Sequence, residues 1–147
     1  MAARLLPGTT TRVRRGRRHD FPHVQAVLGR AGGDRAERLY HRMMRDLGTD
    51  LYVAEEEGGT IVAVIALAYG RSLSAGGLTA VLEVARCSTE PRLGEGLVAF
   101  AEERARRRGC RELTARMDGA DAELRAVLVA RGFRPADVLV TELVPAV

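Results

Sequence analysis

The chain contains no lysine and no tryptophan. The first absence removes a chemistry, because no ε-amine is present to act as a base or to form a Schiff base. Aromatic residues are scarce, at 4%. The basic cluster Arg12, Arg14, Arg15, Arg17 and Arg18 therefore has no aromatic interleaved with it, and it matches no recognisable nucleic-acid motif. The expectation is a solvated strand and loop, with no nucleic-acid partner. Only two cysteines occur, Cys87 and Cys110; they lack metal-ligand spacing and read as reduced thiols. His19, His23 and His41 are not spaced as a metal set, so no metal is expected. No apolar run approaches the roughly 18–20 residues of a membrane span. The opening MAARLLPGTT lacks the apolar core of a secretory signal. These absences set the expectation of a cytoplasmic protein without a membrane partner.

What is present is ordinary for a globular domain: 46% apolar and 29% charged residues, with 147 residues for one domain spanning 1–147. The net charge is +4, carried by arginine alone. It reads first as a compositional bias and second as a basic surface that attracts anions.

Residues 1–8 read as a loose lead-in, and Thr9–Arg15 as a first strand. Asp20 can cap a helix with Pro22 in its first turn, apolar at Val24, Val27 and Leu28 and closed by Gly32 and Gly33. Asp34 can cap the next. Ala36, Leu39, Tyr40, Met43, Met44 and Leu47 then recur at helical spacing, up to Gly48. Leu51–Glu55 and Ile61–Tyr69 read as strands joined by an EEGG turn. The second is almost wholly apolar and should be central. Leu78–Cys87 is expected to return antiparallel to it.

The stretch Leu82–Gly109 organises the rest: a strand, a short loop with Pro91, Gly94 and Gly96, then an amphipathic helix ended by Gly109. A glycine loop opening a helix can hold an anion, because first-turn amides are unpaired and the dipole favours negative charge. Arg111–Arg116 follows as a strand. Asp118 or Asp121 starts a last helix with Leu124, Val127 and Leu128 facing in, and Val138–Val144 reads as a final strand.

The strand Leu78–Cys87, Gly94, the helix AFAEERARRRGC, the strand Glu112–Arg116 and the Val-Ala-Arg-Gly-Phe at 129–133 together resemble the GCN5-related N-acetyltransferases. The resemblance covers nearly the whole chain in element order. It implies an α/β (α+β) fold, a mixed and mostly antiparallel central sheet flanked by helices, in the order β-α-α-β-β-β-α-β-α-β. It also implies transfer of an acetyl or other acyl group from acyl-CoA to an amine of a small molecule or peptide, and a homodimer pairing through its last strands. The acyl-CoA would be held at Ala85, Cys87, Arg92, Leu93, Gly94, Glu95, Gly96 and Leu97. The acceptor would lie against Tyr40, Met43, Met44 and Tyr69, residues for which plain core packing is the competing reading.

Acyl transfer needs a base for the amine, amides for the carbonyl and a partner for the departing sulfur. Glu83, in an apolar strand, is the candidate base, since a carboxylate there would be partly desolvated. Its competing reading is a charge on a solvated strand face. Cys87 and Ser88 are candidates to donate a hydrogen bond to the sulfur. Two departures stand against the resemblance. The family's Arg/Gln-x-x-Gly-x-Gly/Ala loop is incomplete in either alignment, and the loop is shortened. The Tyr that the family often has in its last helix is replaced by Leu128. The alternative is therefore a protein of this fold that has lost CoA binding and serves as a small-metabolite binding module or catalyses another reaction.

Overall fold

The computed structural model describes residues 2–88, 90–117 and 121–145. Its elements are β1 (Arg4–Leu5), β2 (Arg12–Arg15), α1 (Phe21–Leu28), α2 (Ala36–Arg45), β3 (Thr49–Glu55), β4 (Ile61–Ser72), β5 (Gly77–Arg86), α3 (Pro91–Arg107), β6 (Glu112–Arg116) and α4 (Ala122–Ala130). The strands form one sheet in chain order from β1 to β6. Every neighbouring pair is antiparallel except β5 and β6, which run parallel across the α3 crossover. This is the mixed, mostly antiparallel sheet flanked by helices that the element order implied.

The period-2 pattern of the strands sorts the side chains onto two faces. Tyr52, Ile65, Leu67, Ala80 and Leu82 join Leu93, Leu97, Phe100 and Ala101 of α3 in one core. Leu51, Val53 and Val64 join Phe21, Val24, Ala36 and Tyr40 of α1 and α2 in a second, on the opposite face. A third cluster, Val98, Leu124 and Leu128, seats α4 against α3. Central β4 is buried on both faces over Ile61–Ile65, as its apolar run required.

Four local expectations are corrected. The lead-in is not loose: Arg4 and Leu5 pair with β2, and Leu6 is buried against the core. Asp20 stands at the N-cap position of α1, but its side chain makes no capping bond to it. Its buried carboxylate instead accepts from Arg14 at 2.7 and 2.9 Å and from the Arg17 amide at 2.7 Å. The apolar stripe of α2 is narrower than its spacing suggested, because Leu39 is 54% and Leu47 90% exposed. Finally, Val138–Val144 forms no strand. The described residues after α4, from Arg131 to Pro145, have no regular structure, and Leu139 and Val144 are fully or nearly fully exposed. A strand is stable only with a partner to complete its hydrogen bonds, and this segment has none among the described residues.

Candidate functional site

The site expected at the end of β5 is shaped by how far its neighbours extend. Leu78 accepts a backbone hydrogen bond from Arg111 on the β6 side, and Cys87 donates one to Val62 on the β4 side. Backbone groups alternate along a strand, so even-numbered residues of β5 address β6 and odd-numbered ones address β4. The β6 register ends with Arg116 opposite Glu83. β5 therefore outruns β6 by three residues, Val84, Ala85 and Arg86. Of these, Arg86 turns its backbone N–H to the β6 side, where it has no backbone partner among the described residues. The resemblance put the carbonyl-binding amides at Arg86–Ser88; by alternation that of Arg86 points to the β6 side, while that of Cys87 points to β4 and is already spent on Val62.

Glu83 lies beside Ala66 in the register, on the α1–α2 face. It is 59% exposed and pairs with Arg116 at 3.6 Å, so the partial desolvation expected for it does not occur. Cys87 is exposed. Glu83 and Cys87 share a face but stand four residues apart, about 13 Å along an extended strand. They cannot touch one reacting centre together without a bridging group. Ser88 is half-buried, and its hydroxyl receives the Glu90 amide at 3.4 Å, bracing the link into α3.

That link is short, because α3 begins at Pro91. Gly94, Glu95 and Gly96 are consequently helical rather than part of a loop. Within a helix the amides of Glu95, Gly96 and Leu97 are committed to carbonyls four residues earlier. Pro91 has no N–H, and that of Leu93 donates to Glu90 at 3.1 Å. In the first turn the Arg92 amide is the one left unpaired among the described residues. Leu93 and Leu97 point their side chains into the core. Gly96 has a packing reason: a Cβ there would lie 3.2 Å from Leu6, so its absence admits the N-terminal segment. Arg92 is exposed and folds its guanidinium over Gly8 in the β1–β2 turn.

Sequence reasoning placed the backbone of Arg86 at the carbonyl-binding end of the strand but missed its side chain. Its side chain is 7% exposed and forms a two-pronged pair with Asp121, at 2.8 Å for each contact, with Glu123 at 3.4 Å. Asp121 in turn caps α4 by accepting from the Leu124 amide at 2.9 Å. The hydrogen bond from Arg86 holds the Asp121 carboxyl below its usual range. The guanidinium also passes 3.5 Å from where a Cβ on Gly94 would sit, so it lies against the first turn of α3. One arginine thus joins the end of β5, the start of α3 and the start of α4. A wedge between β5, β6, α3 and α4, lined by Val84, Val98, Ala115, Arg116, Leu124 and Leu128 among others, is mostly apolar and too narrow to admit water. The only sequence signal was a charged residue closing an apolar strand.

The acceptor-wall residues divide. Met43 and Met44 pack half-buried against the α1–α2 core. Tyr40 is buried and donates its hydroxyl to the Arg17 carbonyl at 2.7 Å. Tyr69 is on the other face of the sheet, where it donates to Asp50 at 2.7 Å beneath Arg108 of α3, so it shares no wall with Tyr40. Among the described residues no group of three or more His, Cys, Asp or Glu could hold a metal ion, and no helix is long and apolar enough to cross a membrane.

No protein-family model matches the sequence, and no curated protein matches it. Solved structures do match. A transcriptional regulator from Bacillus halodurans superposes with TM-score 0.77 at 19% identity, over 91% of this chain and 99% of that one. An aminoglycoside antibiotic 6'-N-acetyltransferase from Acinetobacter baumannii gives 0.73 at 14%, over 92% and 99%. The glucosamine-6-phosphate N-acetyltransferase from Arabidopsis thaliana gives 0.73 at 18%, over 91% and 98%. The chain has the fold of the GCN5-related N-acetyltransferases.

Proposed function

We propose that the protein is an acyltransferase that moves an acetyl or other acyl group from acyl-CoA to an amine of a small molecule or peptide. The observation that carries this reading is the overhang of β5 past β6, which leaves the Arg86 amide without a partner among the described residues, beside the first turn of α3. Acyl-CoA, when bound, supplies the activated thioester. The Arg86 amide is placed to donate to a carbonyl oxygen on the β6 side. The Arg92 amide and guanidinium offer donors for phosphate, beside the Arg86 guanidinium that Asp121 and Glu123 hold against the first turn of α3. Glu83 would take the amine proton through a bridging water, given its distance from Cys87. Cys87 or Ser88 would donate to the departing sulfur. Met43 and Met44 remain the acceptor-wall candidates. A neighbour of the same fold is an aminoglycoside N-acetyltransferase in complex with CoA, at 16% identity and TM-score 0.73. Cytoplasmic action and a homodimer formed through the exposed Val138–Val144 segment belong to the same proposal.

A second reading is favoured by one observation. The start of α3 at Pro91 removes the glycine loop, and the wedge between β5, β6, α3 and α4 has no room for water. On that basis the fold would have lost CoA binding and would serve a small metabolite instead. Calorimetric titration with acetyl-CoA and free CoA separates the two. The first reading expects heat with the native chain, weaker binding in Arg86→Gln and Arg92→Ala, tighter binding in Glu95→Gln, and lowered turnover more than binding in Glu83→Gln. Silence at millimolar acetyl-CoA from folded protein removes it and leaves the second.

A further inference from the structure

The net charge of the chain is confined to one region. Residues 16–45, the α1–α2 unit, hold seven arginines against three carboxylates, while the rest of the chain holds sixteen of each. A compositional bias toward arginine would not segregate in this way. All seven, Arg17, Arg18, Arg30, Arg35, Arg38, Arg42 and Arg45, are exposed. The ion pairs among the described residues lie elsewhere, and none of the seven guanidinium groups has a described carboxylate within 4.0 Å.

Four of them are ordered along α2. Arg35, Arg38, Arg42 and Arg45 are spaced three, four and three residues apart, which places them within an arc of about 80° over about 15 Å of helix. Leu39 stands on the same surface, four residues after Arg35, and is 54% exposed; Leu47, just past the helix end, is 90% exposed. The surface is therefore basic with apolar residues set into it. It offers no stacking platform, since Tyr40 and Phe21 are buried, and base stacking is how single-stranded nucleic acid gains sequence-tolerant affinity. A stripe about 15 Å long exceeds a small metabolite and matches four to five residues of extended polypeptide.

We propose that the outward face of α2 docks an acidic polypeptide segment bearing an apolar residue, with Arg35, Arg38, Arg42 and Arg45 pairing its carboxylates and Leu39 receiving its apolar side chain. The docking is independent of the acyl-transfer reading and survives its failure.

Fluorescence anisotropy tests it, with a labelled peptide of about a dozen residues repeating Glu-Glu-Leu as the probe. The expected result is binding that weakens with salt, roughly tenfold weaker in Arg38→Glu and in Arg42→Glu. Leu39→Ser should weaken it several-fold without changing the salt slope. These positions are exposed, and unchanged thermal melting shows that each variant is folded; Arg38→Gln gives a milder change for comparison. Three outcomes overturn the proposal: no binding at low salt, charge reversals without effect, or a single-stranded RNA or anionic lipid vesicle of equal charge competing fully while Leu39→Ser changes nothing. Loss of binding on removing the chain's own residues 135–147 would also overturn it.

Discussion

Helices α2 and α3 lie on opposite faces of one sheet, and both are rich in arginine. In α3, Arg106 and Arg107 pair with Glu102 and Glu103 one turn earlier, while Arg131 of the neighbouring segment also reaches Glu102 at 2.8 Å. Arg104 is drawn inward, beside Asp50 and over the Tyr52 ring. In α2 the arginines face outward and answer only one another. The same residue is thus a fixed part of the packing on one helix and an uncompensated charge on the other. The difference arises from where carboxylates fall at helical spacing. Glu102 and Glu103 precede arginines by four residues, the favourable order. In α2, Glu37 precedes His41 by that interval, and Arg38 precedes Arg42.

The largest way to break the contrast is to unbalance the one tightly buried pair on the α1 side. Arg14 and Asp20 have side chains 11% and 3% exposed. Asp20→Ala should cost about 3–5 kcal/mol in urea denaturation, because it takes from the buried Arg14 its closer carboxylate, leaving Glu55 at 3.3 Å, and from the Arg17 amide its acceptor. A loss below about 1 kcal/mol would mean that water reaches Arg14.

The cores come next. Leu97 on α3 is fully buried, and Leu39 on α2 is not. Leu97→Ala should cost about 2–5 kcal/mol, and Leu128→Ala in α4 falls in the same range. Leu39→Ala should stay within about 0.5 kcal/mol. Equal effects at Leu97 and Leu39 would show that α2 is covered in solution.

A pH series reads the carboxylates. Burial alone would raise Asp20 and Asp50, but hydrogen bonds from Arg14 and from Tyr69 outweigh it and hold both below the ordinary value of 3.8. Asp121 is lowered as well, chiefly by Arg86. A depressed carboxyl adds stability that is complete above its unfolded value and is lost as the pH falls through its folded value. The melting temperature should therefore keep these contributions above about pH 5 and lose them progressively below about pH 4. Asp20→Asn should flatten part of that acid limb, whereas variants of the α2 arginines should leave its shape alone.

The smallest effect is the most pointed. Arg38→Glu places a carboxylate one turn before Arg42, so α2 should gain about 0.2–0.5 kcal/mol while losing the acidic peptide. A variant that is more stable yet no longer binds separates a surface kept for a partner from one kept for folding.

Much of the fold was legible because it rests on local periodicity. Ile61–Tyr69 read as a central strand since only a strand buried on both faces is apolar at every position. Leu97 and Ala101 followed from helical spacing, and Asp121 was one of two cap candidates before an apolar run, the other, Asp118, lying outside the described residues. The site was less legible for a different reason. Gly94 and Gly96 suggested a loop, yet glycine also serves inside a helix where another side chain must approach, as Leu6 does at Gly96. Tyr69 could be assigned to a strand but not to a face, because pairing with β3 and β5 decides which parity meets which helix. Arg86 carried no motif at all.

By itself the sequence determined the order of helices and strands, the apolar faces they bury and the absence of lysine chemistry, because these depend on residues a few positions apart. Only the tertiary structure decided that β5 outruns β6, that Arg86 joins three elements at that overhang, and that Val138–Val144 remains without a strand partner. Each of these depends on where a second segment, distant in the chain, begins or stops, and backbone hydrogen bonds carry no side-chain signature by which a sequence could announce it.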